Sequence, residues 1–223
     1  MVLALLEVVG PSGTVAMPAH SAGLTDPRGW SRPAVPEQWW ETLRTEMPAY
    51  DPALTPTRYM GAVVECFRHV PSARRSSHPT VSVVAVGPNA DSIVDDHSLS
   101  YGLGEQSPLA RLYDLDAKVL LLGVSHANNT SLHLAEYRAS FPEKRWTRLS
   151  SPLIVDGERR WVSHPDLEAD DRDFERLGRE FSASGGETTG AVGAGTGRLM
   201  RQRRVVDYAV TWMEQHRTLP THR

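Results

Sequence analysis

Cysteine is nearly absent from this chain: Cys66 is alone among 223 residues. A single thiol excludes an internal disulfide framework and fits a reducing compartment. An excess of one charge is absent too, because 24 Lys and Arg stand against 27 Asp and Glu, for a net charge of −3. No basic field is offered to nucleic acid, so that partner is not expected. No apolar run is long enough to span a bilayer. The opening stretch "MVLALLEVVG" is short, is broken by Glu7, and lacks a basic start and a cleavage site, so it does not read as a signal peptide. Neither a G-x-S-x-G elbow nor a P-loop occurs, which removes ordinary serine-hydrolase and NTPase readings. A soluble cytoplasmic protein, monomer or homodimer, with no membrane partner is the expectation.

What is present suits one large domain: a hydrophobic fraction of 40% can fill a sizeable core. Strands are predicted at "TVAMP", "TVSVVAVG", "KVLLLGV", "WTRLSSPLIV" and around "RRWVSH". Helices are predicted over 2–9, 59–70, 88–96, 107–115, 130–139, 166–181 and the C-terminal "RLMRQRRVVDYAVTWMEQH". Ser107 followed by Pro108 reads as an N-cap and first helical residue, and Thr130 or Asn129 as the cap of the helix after it. Residues 19–56 form a long proline-rich stretch with a short helix at "PEQWWETLR"; its three tryptophans argue for order. The Gly-rich "SASGGETTGAVGAGTG" lacks the preceding strand of a dinucleotide fingerprint and reads as a flexible loop. Cys66 falls in a helical stretch and reads as a buried thiol. Strands alternating with helices argue for a layered α/β domain.

Between the buried strand ending at Val124 and the following helix, Ser125, His126, Asn128, Asn129, Thr130, Ser131 and His133 crowd into one turn. His97 follows two carboxylates in "DDHSL", a pattern suited to a general base, since a carboxylate neighbour raises imidazole basicity. Glu136 sits one turn further along, where a solvated carboxylate paired with Arg138 is the plain reading. His133 reads as an ordinary surface or packed histidine. A zinc site from His97, His126 and His133 matches no compact ligand spacing, so no metal is expected.

Together, "GPSGTVAMPAHS", "DPALTPTRYMGAVVECFR", "RRSSHPTVSVVAVG", "DDHSL", "GEQSPLARLYDLDAKVLLLGVSHANNTSLHLAEYRA" and "RLMRQRRVVDYAV" resemble the aminoglycoside 3-N-acetyltransferase family, in family order over nearly the whole chain. The resemblance implies one antibiotic N-acetyltransferase domain over 1–223, short at its N-terminus, with a three-layer α/β/α sandwich distinct from the GNAT fold. It implies acetyl-CoA as co-substrate and an aminoglycoside antibiotic as acceptor, acetylated on its 3-amino group to confer resistance.

The resemblance also implies roles. His97 is the expected base, with Glu136 as its partner or as an anchor for a drug amine. Thr130 and Asn129 would hold the acyl oxygen or border the drug, helped by the helix N-terminus. Arg58, Ser76 and His78 would face the cofactor. Asp26, Glu37, Asp51 and Asp96 would attract the polycationic drug. Family members usually begin earlier, with a strand and a turn that help hold the cofactor, so weak acetyl-CoA binding is expected of the chain as it stands. The rival readings are a non-catalytic homologue, a relative acetylating another amine, and a metal hydrolase.

Overall fold

In the computed structural model, which describes residues 1–31 and 33–218, the apolar opening folds as helix α1 (Val2–Val9). It ends at Gly10 with φ +68°, a left-handed value that glycine reaches without a Cβ clash. Strand β1 (Val15–Pro18), helices α2 (Trp40–Glu46) and α3 (Ala62–Phe67), strands β2 (Arg74–Arg75) and β3 (Val83–Val86), and helix α4 (Ala90–Val94) follow. β3 lies between β1 and β2, antiparallel to both, with Val15 opposite Val86 and Arg75 opposite Val84. All four residues of β3 are buried, which is why this run reads as continuous apolar sequence rather than alternation. Ala19, Phe67, Val84 and Val86 form a core against which Leu6, Val15, Met17 and Val64 pack.

The proline-rich stretch is ordered by its polar partners. Trp30 Nε1 donates to Thr25 Oγ1 and Trp40 Nε1 to the Val35 carbonyl, both at 2.9 Å. Cys66, expected buried, is exposed, because α3 is short and turns Phe67 rather than its neighbour into the core.

The chain continues through α5 (Pro108–Asp114), β4 (Lys118–Leu122) and α6 (Ser131–Arg138), then the hairpin β5 (Trp146–Val155) and β6 (Glu158–Leu167). It closes with α7 (Phe174–Ala183), β7 (Thr188–Val192), β8 (Gly195–Arg201) and α8 (Gln202–His216). Two compact units result: Met1–Gly102 with Thr147–Asp166, and Leu103–Trp146 with the described residues from Leu167 on. In the first, Tyr50 and Asp26 donate backbone N–H groups to Pro152 and Ser150 of the hairpin. In the second, β8 lies between β4 and β7, antiparallel to both.

The Gly-rich segment is therefore not a loop. Gly190 and Gly197 face each other across β7 and β8, while Gly193, at φ +58°, makes the turn between them. Thr188, Thr189 and Val192 supply the β-branched character that the glycines mask in the sequence. Helices α6 and α8 pack together, and Leu132, Leu134, Ala135, Val205, Val206, Ala209 and Met213 are buried with Phe174, Leu177 and Phe181 of α7.

Candidate active site

The polar turn before α6 is mostly spent on holding its own backbone. Ser125 Oγ accepts from Ala127 N–H, and Asn129 Oδ1 accepts from Ser131 N–H, so Asn129 rather than Thr130 caps the helix with its side chain. Asn129 is buried and its amide points toward His126 Nδ1 at 3.3 Å. His126 Nε2 in turn donates to Glu187 at 2.8 Å, and Glu187 also accepts from Ser182 and Arg198. This ring lies against Gly178 of α7, where an added Cβ would stand 2.2 Å from it. Both nitrogens of His126 are thus committed to structure.

One turn into α6 the arrangement differs. His133 and Glu136 are three residues apart, so the helix sets them on neighbouring positions of one face. His133 Nδ1 and Glu136 Oε2 are 2.6 Å apart, and the carboxylate side chain is 1% exposed against 19% for the imidazole. The other oxygen, Oε1, accepts from Arg217 at 2.7 Å and from Asp170 N–H at 2.9 Å. With an arginine and a backbone donor on one oxygen, the carboxylate presents its other oxygen to accept a hydrogen bond from the imidazole Nδ1–H. His133 Nε2 then carries the lone pair, and no hydrogen bond to it occurs among the described residues. The ring is braced by Phe174, with centroids 5.0 Å apart.

Glu136 is thus neither solvated nor paired with Arg138, which binds Glu105 instead. Nor is His133 an ordinary packed histidine. Thr130 stands one step before it on the same spacing, half-buried, with its carbonyl accepting from His133 N–H. Sequence reasoning weighed His133 as a surface or packed histidine and as a zinc ligand but not as the partner of Glu136, although the three-residue spacing was the available signal.

His97 lies in the first unit and is fully engaged. Ser76 Oγ accepts from Val83 N–H and donates to His97 Nδ1 at 2.8 Å, while His97 Nε2 donates to the Gly102 carbonyl at 2.6 Å. A base needs a lone pair facing the substrate, and this ring presents none. Asp95 and Asp96, the carboxylates that motivated the expectation, are exposed while His97 is buried.

Of the residues expected at the cofactor, Ser76 and His78 are 1% exposed. His78 Nδ1 accepts from Thr80 and Val81 N–H, so its proton sits on Nε2 and is directed at the Leu99 carbonyl. Burial, with His97 and His164 nearby, pushes its pKa down to about 2. Arg58 is the exposed member of the three, lying over the Tyr59 ring. Among the acidic residues, Asp26 is bridged by Arg44 at 2.7 Å, Asp51 caps the turn at Ala53 and Leu54, and Glu37 and Asp96 are exposed. Donor atoms of His78, His164 and Asp166 lie within 4.8 Å of one another, the spread of a loose metal site. With both nitrogens of His78 already occupied, a cation there would have to break the turn at Thr80–Val81 or strip the Nε2 proton, so the donor set does not fit a metal.

Residues 1–214 match the family model described as aminoglycoside 3-N-acetyltransferase. The chain belongs to the aminoglycoside 3-N-acetyltransferase family. The family's reaction is transfer of acetyl from acetyl-CoA to an aminoglycoside 3-amino group, so the chain is a member of an acyltransferase family. It is 42% identical over 213 residues to the SPbeta prophage-derived aminoglycoside N(3')-acetyltransferase-like protein YokD of Bacillus subtilis, covering 95% of this chain and 78% of that one. The crystal structure of YokD superposes with a TM-score of 0.93 at 41% identity, over 96% of this chain and 79% of that one. Aminoglycoside N(3)-acetyltransferase VII of Streptomyces paromomycinus is 37% identical over 95% of this chain and 77% of its own length. A binary complex of AAC-IIIb with CoASH matches at a TM-score of 0.81 and 32% identity, over 96% of this chain and 81% of that one.

Proposed function

We propose that this chain transfers acetyl from acetyl-CoA to the 3-amino group of a 2-deoxystreptamine aminoglycoside, with His133 as general base. The observation that carries the assignment is the His133–Glu136 pair at 2.6 Å, with its carboxylate buried and held by Arg217. It replaces His97 in that role. Glu136 keeps the Nδ1 tautomer, so Nε2 accepts a proton from the drug's amine as the nitrogen attacks the thioester carbonyl. The new N–C bond forms, the C–S bond breaks, and the proton passes from His133 to the departing CoA thiolate. The Thr130 hydroxyl is suited to the oxygen on which negative charge develops. Exposed Arg58 is a candidate for the cofactor's phosphates, and exposed Glu37 and Asp96 for the drug's ammonium groups. Family membership supports reading 1–223 as one antibiotic N-acetyltransferase domain, with the three-layer α/β/α sandwich rather than the GNAT fold, acting in the cytoplasm as a monomer or homodimer.

The test is release of free CoA thiol in the presence of acetyl-CoA and a panel of aminoglycosides, with amino sugars and other amines as controls. Drug-dependent thiol release that His133→Ala abolishes and His97→Ala leaves largely intact supports the reading. Release with non-aminoglycoside amines alone overturns the substrate, and full activity in His133→Ala overturns the base.

A further inference from the structure

Burying a carboxylate such as that of Glu136 in the last turn of α6 costs on the order of several kcal/mol, which a nearby cation offsets. For Glu136 the counter-charge comes from the far end of α8. Arg217 follows α8 as its C-cap residue and lies beyond the residues 1–214 that match the family model. Its side chain is 11% exposed and is held on three sides. Nε and Nη2 meet the two oxygens of Asp173 at 2.8 and 2.6 Å, a bidentate grip. Nη2 also donates to the Asp170 carbonyl at 2.6 Å, and the guanidinium lies 5.1 Å from the Phe141 ring centre. Only the Nη1 edge is left to face Glu136, at 2.7 Å.

We propose that Arg217 is a positioning residue of the His133–Glu136 pair, a proposal that rests on the reading of His133 as base. Asp173 fixes the guanidinium and Arg217 fixes one oxygen of Glu136. The other oxygen is thereby aimed at His133 Nδ1. Arg217 also sets how strongly the pair attracts a proton, because its charge offsets that of Glu136. The charged and titratable groups around the pair are Arg217, Asp173, Asp170 with Arg172 on its outer side, and Lys144, whose ammonium feels Glu136. Burial alone would lower the pKa of Arg217, but its hydrogen bonds to Asp173 and Glu136 hold it above the ordinary arginine value, so it stays charged across the working range.

Removing the cation while keeping a stem, as in Arg217→Met, leaves Glu136 to hold the proton on His133 more tightly. The acid limb of the kcat/KM pH profile then moves upward by about half a unit or more. Kcat drops roughly tenfold or more, while KM for the drug stays within about twofold. Arg217→Lys, which keeps the charge but loses the fork, recovers part of kcat and most of the pH profile. Asp173→Asn, which loosens the grip but leaves Arg217 in place, falls between.

Imidazole NMR of His133 across pH in the full chain gives a second reading that needs no turnover. The Nδ1-bound proton signal should shift in Arg217→Met and return in Arg217→Lys. If the wild-type chain releases no thiol with any aminoglycoside, the functional reading fails, and the NMR comparison still decides the role of Arg217. If the wild type is active, the proposal is overturned by an Arg217→Met protein whose pH profile and His133 titration match the wild type. It is equally overturned if lost activity merely follows a lower folded fraction in both variants.

Discussion

Two histidines, each close to carboxylates in the sequence, end in opposite conditions. His97 follows Asp95 and Asp96 directly, yet its ring is sealed between Ser76 and Gly102 while both carboxylates face solvent. His133 has no acidic neighbour within two residues, yet it forms the short contact to Glu136. Adjacent residues diverge in direction, most of all where the backbone turns sharply, as it does at Asp96 with φ +50°. Residues three apart on a helix converge. A dyad is therefore legible from helical spacing and not from proximity along the chain.

The largest expected difference between the two histidines is in turnover. His133→Ala should lower kcat by roughly 10²–10⁴-fold, the usual worth of a positioned base. His97→Ala should instead lower stability, by about 1–3 kcal/mol, because Ser76 and the Gly102 carbonyl lose their partner in the interior. Steady-state rates per folded molecule, beside denaturant melts, separate these effects, and a His97→Ala protein that is stable but inactive would reverse the assignment. Next comes Glu136→Gln, which keeps size but not charge and turns an amide toward Arg217. A loss of about 10²-fold in kcat is expected, with little change in KM for acetyl-CoA; wild-type rates would remove the carboxylate from the mechanism.

A smaller effect sharpens the contrast through pH. His78 and His164 are buried in the first unit, and burial lowers both pKa values from the ordinary 6.5, His78 to about 2. The unfolded chain therefore binds more protons than the folded one below pH 6.5. Their contribution to stability is complete above that pH and is lost as pH falls, at about 1 kcal/mol per pH unit for His78 alone. Melting temperature should drop steadily from pH 7 to 5, and His78→Gln should flatten the slope. A slope unchanged by that substitution would mean that other groups control it. The smallest effect belongs to Thr130→Ala. Asn129, not Thr130, caps α6 through its side chain, so stability should hardly change, and only the hydroxyl's share of turnover, roughly tenfold, should be lost. Thr130→Ser should restore it.

Most elements were legible because their signals are local. The apolar run ending in "VVAV", the Ser107–Pro108 start and the long amphipathic C-terminal stretch each carry their own period or cap. The hairpin of β7 and β8 was not, since its strands are rich in glycine and β8 pairs on its other side with β4, distant in sequence. The same division holds at the site. Glu136 and Thr130 came into view through the family resemblance, while the residues alone suggested a solvated carboxylate and a helix cap. The carboxylate of Glu136 is held by Arg217 and Asp170, 81 and 34 residues away, which no local pattern announces. Ser76 and His78 were expected at the cofactor from the family resemblance. Their polarity serves buried backbone groups of Val83, Thr80 and Val81 instead.

Gly178 has a consequence for anyone seeking a more heat-resistant protein. It sits inside α7, where replacing glycine by alanine is a standard stabilising change, worth about 1 kcal/mol from helix propensity. Here the added methyl would land on the His126 ring. The imidazole would be displaced from Glu187, leaving Ser182 and Arg198 around a carboxylate that has lost one of its donors. The turn that launches α6 would lose its footing with it, since Asn129 rests on the same ring. The substitution that a general rule recommends first is the one that this helix refuses, and the thermostability of α7 is capped by a histidine outside it.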